Sequence, residues 1–183
     1  MTRIILIFGI IAGIICGSMF FIFHPSDGKM DFENGMLKGY ITMTLALSSI
    51  FFAVKQYRDK YNEGSINFLK AFLIGIALTL VSGIVYSLLW ELYYQNYAMD
   101  FADQYLDYIK EQMEAKGMAA NEIAEKVRAT EKDFESYTKN PFLRFLFTML
   151  ELLPIGIIIS LLSAVYWTKI KKNNYTSLTA STN

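Results

Sequence analysis

Residues 71–90 read AFLIGIALTLVSGIVYSLLW, twenty positions without a charge among them. An α-helix rising about 1.5 Å per residue needs roughly 20 such residues to cross about 30 Å of hydrocarbon, so the stretch reads as a membrane-spanning helix. Its flanks differ in kind. Lys55, Arg58, Lys60 and Lys70 gather before it, whereas Glu91, a run of tyrosines and a strongly acidic segment follow it. Inside the stretch Ala71, Gly75, Thr79, Gly83 and Ser87 recur at every fourth position. A ridge of small side chains lets another helix approach closely, which matters in lipid because hydrocarbon supplies no hydrophobic drive for helices to associate.

Composition points the same way. Of 183 residues 54% are hydrophobic, and the mean hydropathy of +0.30 is too high for an ordinary soluble domain. The formal net charge of zero hides a separation: residues 92–140 hold ten acids and six bases, while the sequence from Lys169 onward holds three bases and no acid. No basic patch suited to nucleic acid stands out. With Cys16 as the single cysteine, lying in an apolar run, an intrachain disulfide is impossible and no cysteine-based metal site can be built.

Three further apolar stretches complete an all-α plan. Residues 4–23 follow Arg3 without a charge; twenty residues exceed the usual signal-peptide core, and no small-x-small cleavage pattern ends the run before His24-Pro25, so a first span is expected there. Gly9, Gly13 and Gly17 give it a small-residue ridge that predicts tight packing on a neighbouring helix of the same subunit. A loop over His24 to Gly35 leads to a second span at about 36–54, and the third span occupies 71–91.

Beyond Trp90 no Gly or Pro occurs until Gly117, so the third helix is free to continue, with any bend near Asn96 to Asp100. Phe101, Tyr105, Tyr108, Ile109 and Met113 then follow helical spacing between charged residues, and Gly117 is a natural stop. A second amphipathic helix from Ala120 to Tyr137 repeats the pattern, predicting an antiparallel hairpin over 97–139. Its carboxylates are interleaved with lysines, as in Glu122 to Lys126, which is the pattern of a solvated face. Asn140-Pro141 breaks it, and a fourth span runs over 142–167 with Gly156, Ser160, Ala164 and Thr168 as its own ridge. The expected fold is therefore an integral membrane four-helix transmembrane bundle, 1–168, with an extramembrane two-helix hairpin between the third and fourth spans. The polar tail, 169–183, is expected to lack fixed structure, and its Asn174-Tyr175-Thr176 sequon carries no weight on that side of the membrane.

Lysines and arginines in short segments set topology. Arg3, the 55–70 segment and the tail hold eight bases, against Lys29 and Lys38 in the first opposite loop. Both termini are expected in the cytoplasm and the hairpin outside.

Ionisable groups at membrane depth are the sharpest candidates for a site. Lys38 stands 17 residues from Lys55 and Glu151 stands 18 from Lys169, so the two match in height and oppose in charge, near the outer edge of the hydrocarbon. Either alone in lipid would cost several kcal/mol. A Lys38–Glu151 pair is expected, or a shared polar cluster with Glu91, Arg144 and Tyr40. An ion pair that only holds helix register is the plainer account; a proton or cation site at Glu151, with Pro154 freeing a backbone carbonyl, is the functional one. His24 with Asp27 and Asp31 makes a weak metal constellation, and no metal or other cofactor is expected. The tyrosines and Trp90 over 86–97 suggest an interfacial aromatic belt, as do Tyr166 and Trp167 at the other face. No HExxH, glycine-rich phosphate loop, GxSxG or CxxC is present, so no catalytic residue is named.

Gly39-Tyr40, Ala46-Leu47-Ser48 to Phe52, Lys55 to Asp59 with Gly64 to Phe68, and Glu151 to Pro154 with Gly156 to Ser163 together resemble the bacterial domain-of-unknown-function family 4199. The resemblance covers nearly the whole chain before the tail and implies four spans, a helical insertion and a bacterial inner-membrane location. It implies no activity and no catalytic residue. One departure is Ala119, where a capping serine is expected. Two functions follow as expectations. The first is a non-enzymatic interaction or structural component of the cell envelope, meeting the bilayer and a protein partner or second copy through small-residue faces or the outer hairpin. The second is a small transporter or channel-like subunit with a polar pathway at Glu151 and Lys38.

Overall fold

In the computed structural model, residues 1–25 and 28–169 are described. The tail with its sequon, and Asp27 of the weak metal constellation, lie outside the described residues. Among the described residues the chain is all-helical: α1 (Thr2–Ile22), α2 (Phe32–Leu47), α3 (Ser49–Tyr61), α4 (Phe68–Tyr97), α5 (Phe101–Ala115), α6 (Ala120–Lys139) and α7 (Pro141–Lys169). Four helical stretches are long and apolar enough to cross a membrane: α1, the combined α2–α3 segment, α4 and α7. Their outward faces carry Ile7, Ile11, Ile14, Leu45, Ile158 and Leu162, all exposed, a surface suited to lipid and unlike that of a soluble monomer. The chain is a four-helix membrane bundle.

α4 is the hub, packing most extensively on α7 and next on α1. The small ridges are used up inside this bundle. A methyl on Gly9 would come within 2.7 Å of Val81 Cβ, and one on Gly13 within 2.6 Å of Val85 Cβ, so α1 lies directly against α4. On the other side of α4, a methyl on Gly156 would collide with Thr79, one on Gly75 with Ser160, and one on Gly83 would reach 2.8 Å from Met149 Cγ. Glycine against valine on the α1 side, and against serine, threonine or methionine on the α7 side, sets the closest helix separations, as packing in lipid requires.

Two boundaries differ from the sequence reading. The second span begins at Phe32, four residues before Met36, because Asp31 caps it by accepting from the Asn34 backbone N–H at 3.1 Å. It also breaks at Ser48. Thr42, Thr44 and Ser48 each turn a hydroxyl back onto the carbonyl four residues earlier, the arrangement that bends helices. The third span continues to Tyr97 and ends at Ala98, inside the interval where a bend was expected. Gly117, at φ 70°, turns the chain between α5 and α6; α6 starts at Ala120 although Ala119 has no side chain to cap it. α5 and α6 pack on each other through Phe101, Tyr105 and Phe134.

Candidate functional site

Glu91 and Arg144 do meet. The Arg144 guanidinium donates from Nε to Glu91 Oε2 at 2.8 Å and from Nη2 to Oε1 at 2.7 Å, a two-pronged pair joining α4 to α7. Nη1 donates to the Tyr137 and Thr138 carbonyls, both at 3.1 Å, satisfying orphan carbonyls in the last turn of α6. Arg144 also lies 3.8 Å from the Tyr94 ring centroid and is only 3% exposed. Four guanidinium hydrogen bonds thus serve one junction of α4, α6 and α7, which is structural work.

The rest of the expected cluster divides. Lys38 Nζ lies 3.5 Å from Asp31 Oδ2 on its own span and 5.6 Å from the Phe23 ring centroid. Glu151 Oε2 accepts from the Tyr86 hydroxyl at 3.1 Å. Lys38 and Glu151 therefore do not pair; matched height left their rotation about the helix axes open, and Asp31, about two helical turns away, reaches Lys38 first. Tyr40 is exposed, and its carbonyl accepts from the Thr44 hydroxyl at 2.7 Å.

What joins these residues is a space. A partly open cavity of about 390 Å³ occupies the end of the bundle nearest α5, lined by Lys38, Tyr40, Tyr86 and Glu151 among others. Its size falls within the range of about 300–1,000 Å³ usual for small-molecule sites. α1 contributes Met19, Phe20 and Phe23; α2 contributes Gly39 and Met43; α4 contributes Trp90 and Tyr93; α5 contributes Phe101 and Tyr105; α7 contributes Thr148. Lys38 and Asp31 stand together on the wall with each other's charge in reach, leaving Glu151 as the lining carboxylate with no cation beside it among the described residues.

The aromatic wall is the feature the sequence did not disclose. Trp90, Tyr93 and Tyr94 are buried and pack inward, where an interfacial belt was expected. Phe20 on α1 stands at their centre, with ring centroids 5.1 Å from Tyr86, 4.7 Å from Trp90 and 5.8 Å from Tyr93. Trp90 Nε1 donates to Tyr137 Oη at 2.7 Å, and His24 Nδ1 lies 2.8 Å from Tyr93 Oη. Spacing held a signal: Tyr86, Trp90, Tyr93, Tyr94 and Tyr97 recur at three and four positions, the period of one helix face. α5 is tied over the loop before α2, since Gln104 accepts from the Met30 backbone N–H at 2.9 Å and donates to the Gly28 carbonyl at 3.0 Å. Phe32 adds ring contacts to Phe101, Tyr105 and Tyr108.

The opposite end of the bundle is closed. Leu47, Ile50, Val54, Ile74, Leu78 and Leu152 have essentially no exposed surface, and Ser82 donates both to Gly9 and to Leu78 carbonyls at 3.0 Å. α7 runs unbroken through Pro154, which cannot donate to the Leu150 carbonyl.

Fold and site define a multi-pass, all-helical membrane protein with a blind, aromatic-walled cavity at one end of the bundle. The chain belongs to the family described as protein of unknown function (DUF4199), which matches residues 7–169. Neither a curated protein nor a solved structure matches it.

Proposed function

We propose that this protein is a non-enzymatic binding component of the bacterial inner membrane. Both termini face the cytoplasm in this reading, from the eight bases of Arg3, the 55–70 segment and the tail. α5 and α6 then stand on the periplasmic or extracellular side, where their charged faces meet water and the cavity lies beneath them. The single observation that carries the proposal is the cavity itself: an apolar, aromatic-walled space of about 390 Å³ with a carboxylate in its lining and close-packed helices beyond it. Such a shape suits holding a molecule. In its lining the Tyr86 hydroxyl and the Glu151 carboxylate are hydrogen-bonded to each other, a pair that in this reading holds the carboxylate in place.

The transport reading keeps one supporting observation, that Lys38 and Glu151 line the same cavity. Against it stands the seam of Gly75 on Ser160 and Gly156 on Thr79, where not even a methyl group fits. Native mass spectrometry and vesicle flux decide between them. Protein extracted from its own membrane should carry a small-molecule adduct that Gly39→Phe, which fills the cavity, removes. In vesicles with an internal pH-sensitive dye, proton and potassium flux should equal that of protein-free vesicles. An adduct that survives Gly39→Phe overturns the cavity as the site, and flux abolished by Glu151→Gln overturns binding in favour of transport.

A further inference from the structure

We propose that the cavity takes an ammonium-bearing amphiphile, its cationic head between Glu151 and the aromatic wall of Phe20, Tyr86, Trp90 and Tyr93, and its apolar body along Met19, Met43 and Phe23. The inference rests on the binding reading above and adds the ligand's chemical class. Charge complementarity carries it. Four ionisable side-chain types face the space: Lys38, Asp31, Glu151 and tyrosines. Lys38 and Asp31 offset each other at 3.5 Å, so the lining carries one uncompensated acidic group, held in place by the Tyr86 hydroxyl.

The surroundings of that carboxyl sort ligands by head group. An anionic head would meet a carboxylate in an apolar space with Arg144 already committed to Glu91. A neutral head offers no counter-charge, so beside it the carboxyl would take up a proton and contribute no charge attraction to binding. An ammonium does neither: it keeps the carboxyl in its ionised form by proximity, and ring faces attract it further. Phe20, Tyr86, Trp90 and Tyr93 all line the cavity, with Phe20 centroids within 5.8 Å of the other three, so several rings border one small volume. Aromatic enclosure plus one carboxylate is the chemistry that recognises alkylammonium groups. Methionines and phenylalanines make up much of the remaining lining, beside Tyr40, Tyr105 and Thr148, and such side chains adapt to an alkyl chain.

The head group can come from a soluble amine or from an aminolipid, and the test separates them. Glu151 in purified protein in maltoside micelles is labelled with dicyclohexylcarbodiimide, and modification of its peptide is followed by mass spectrometry. Hexyltrimethylammonium should slow labelling at about tenfold lower concentration than hexyl glucoside, and hexyl sulfate should not slow it. A parallel binding readout uses Trp90 fluorescence in Trp167→Phe protein. Hexyltrimethylammonium should shift it, and adding Glu151→Gln, whose amide oxygen still accepts from Tyr86, should abolish the shift. Protein in phosphatidylethanolamine vesicles that is protected without added amine, when protein in phosphatidylglycerol vesicles is not, identifies a lipid headgroup as the source. Protection in neither vesicle, with hexyltrimethylammonium effective in both, identifies a soluble amine. Equal or better protection by hexyl sulfate or hexyl glucoside overturns the ammonium class while leaving the binding reading standing. Protection by none of the three overturns both.

Discussion

The two ends of the bundle are made from the same four spans and are packed on opposite principles. At the end holding Ile4, Val54 and Ala164, glycines, serines and alanines interleave and the helices touch. At the end holding Phe20, Trp90 and Arg144, α1 still touches α4 where Gly17 meets Leu89, but rings and a guanidinium stand between the other helices and a cavity remains. Interaxial distance follows the side chains at the contact, so residue size alone changes a sealed bundle into a pocketed one along its length. In lipid this difference carries more weight than in water, since close packing is itself the force that holds the helices.

The comparison makes the open end dependent on one junction. Arg144→Met leaves Glu91 partly buried without its partner and frees the last carbonyls of α6; a loss of about 3–5 kcal/mol is expected. Denaturation in micelles measures it, and a smaller loss in Glu91→Gln/Arg144→Met than in Arg144→Met alone is the expected sign of a true pair. A loss no larger than 1 kcal/mol, on the order of a surface pair, would break the view that this junction holds the cavity end together.

The same methyl group placed at each end gives a second contrast. Gly156→Ala meets Thr79 and should destabilise by about 1–3 kcal/mol. Gly39→Ala meets only Met19 Cε at 3.4 Å, an ordinary contact, and should be neutral or stabilising by about 0.5–1 kcal/mol, as expected for glycine removed from a helix. Equal melting shifts for the two would erase the distinction between sealed and open ends.

Tyr137 sharpens it further. Burial pushes its phenol above the ordinary tyrosine range, while the Trp90 hydrogen bond works the other way. The unfolded chain therefore releases this proton first, so the stability Tyr137 contributes is whole below about pH 10 and falls as pH rises above it. Tyr137→Phe should cost about 0.5–1.5 kcal/mol at neutral pH through the lost Trp90 bond and should flatten the alkaline decline. An unchanged alkaline slope in the variant would place the titrating group elsewhere.

The smallest effect belongs to Asp31. Hydrogen bonds from the Asn34 backbone and side chain, with Lys38 beside it, hold its carboxyl below the usual range. Its contribution is present above the ordinary aspartate value and is lost as pH falls through the lower, folded one. Asp31→Asn should therefore soften the acid limb of a pH–stability curve slightly, and a steeper acid limb would contradict the sign.

Much of this was legible along the chain, and for definite reasons. Uninterrupted apolar length marks a span without any partner, so 71–91 and its three companions follow from the sequence; so does the turn at Gly117, because left-handed backbone favours glycine. The Gly9, Gly13 and Gly17 ridge announced close packing for the same local reason. Lys38 and Glu151 were expected to pair or to share a cluster with Glu91, Arg144 and Tyr40; Glu91 and Arg144 bind each other, while Lys38 lies by Asp31 and Glu151 by Tyr86. The start at Asp31 was missed because Asn34-Gly35 reads as a turn, whereas the Asp31 cap overrides that punctuation.

Sequence by itself determined which segments are helical and apolar enough to sit in a membrane, and at what height along the spans each ionisable group stands, because both depend only on rise per residue and local composition. Tertiary structure alone decided what those groups face. Height does not specify rotation about a helix axis: only the packed bundle turns Glu151 to Tyr86, leaves Lys38 with Asp31, and brings Phe20 to Trp90 from 70 positions away to wall a cavity.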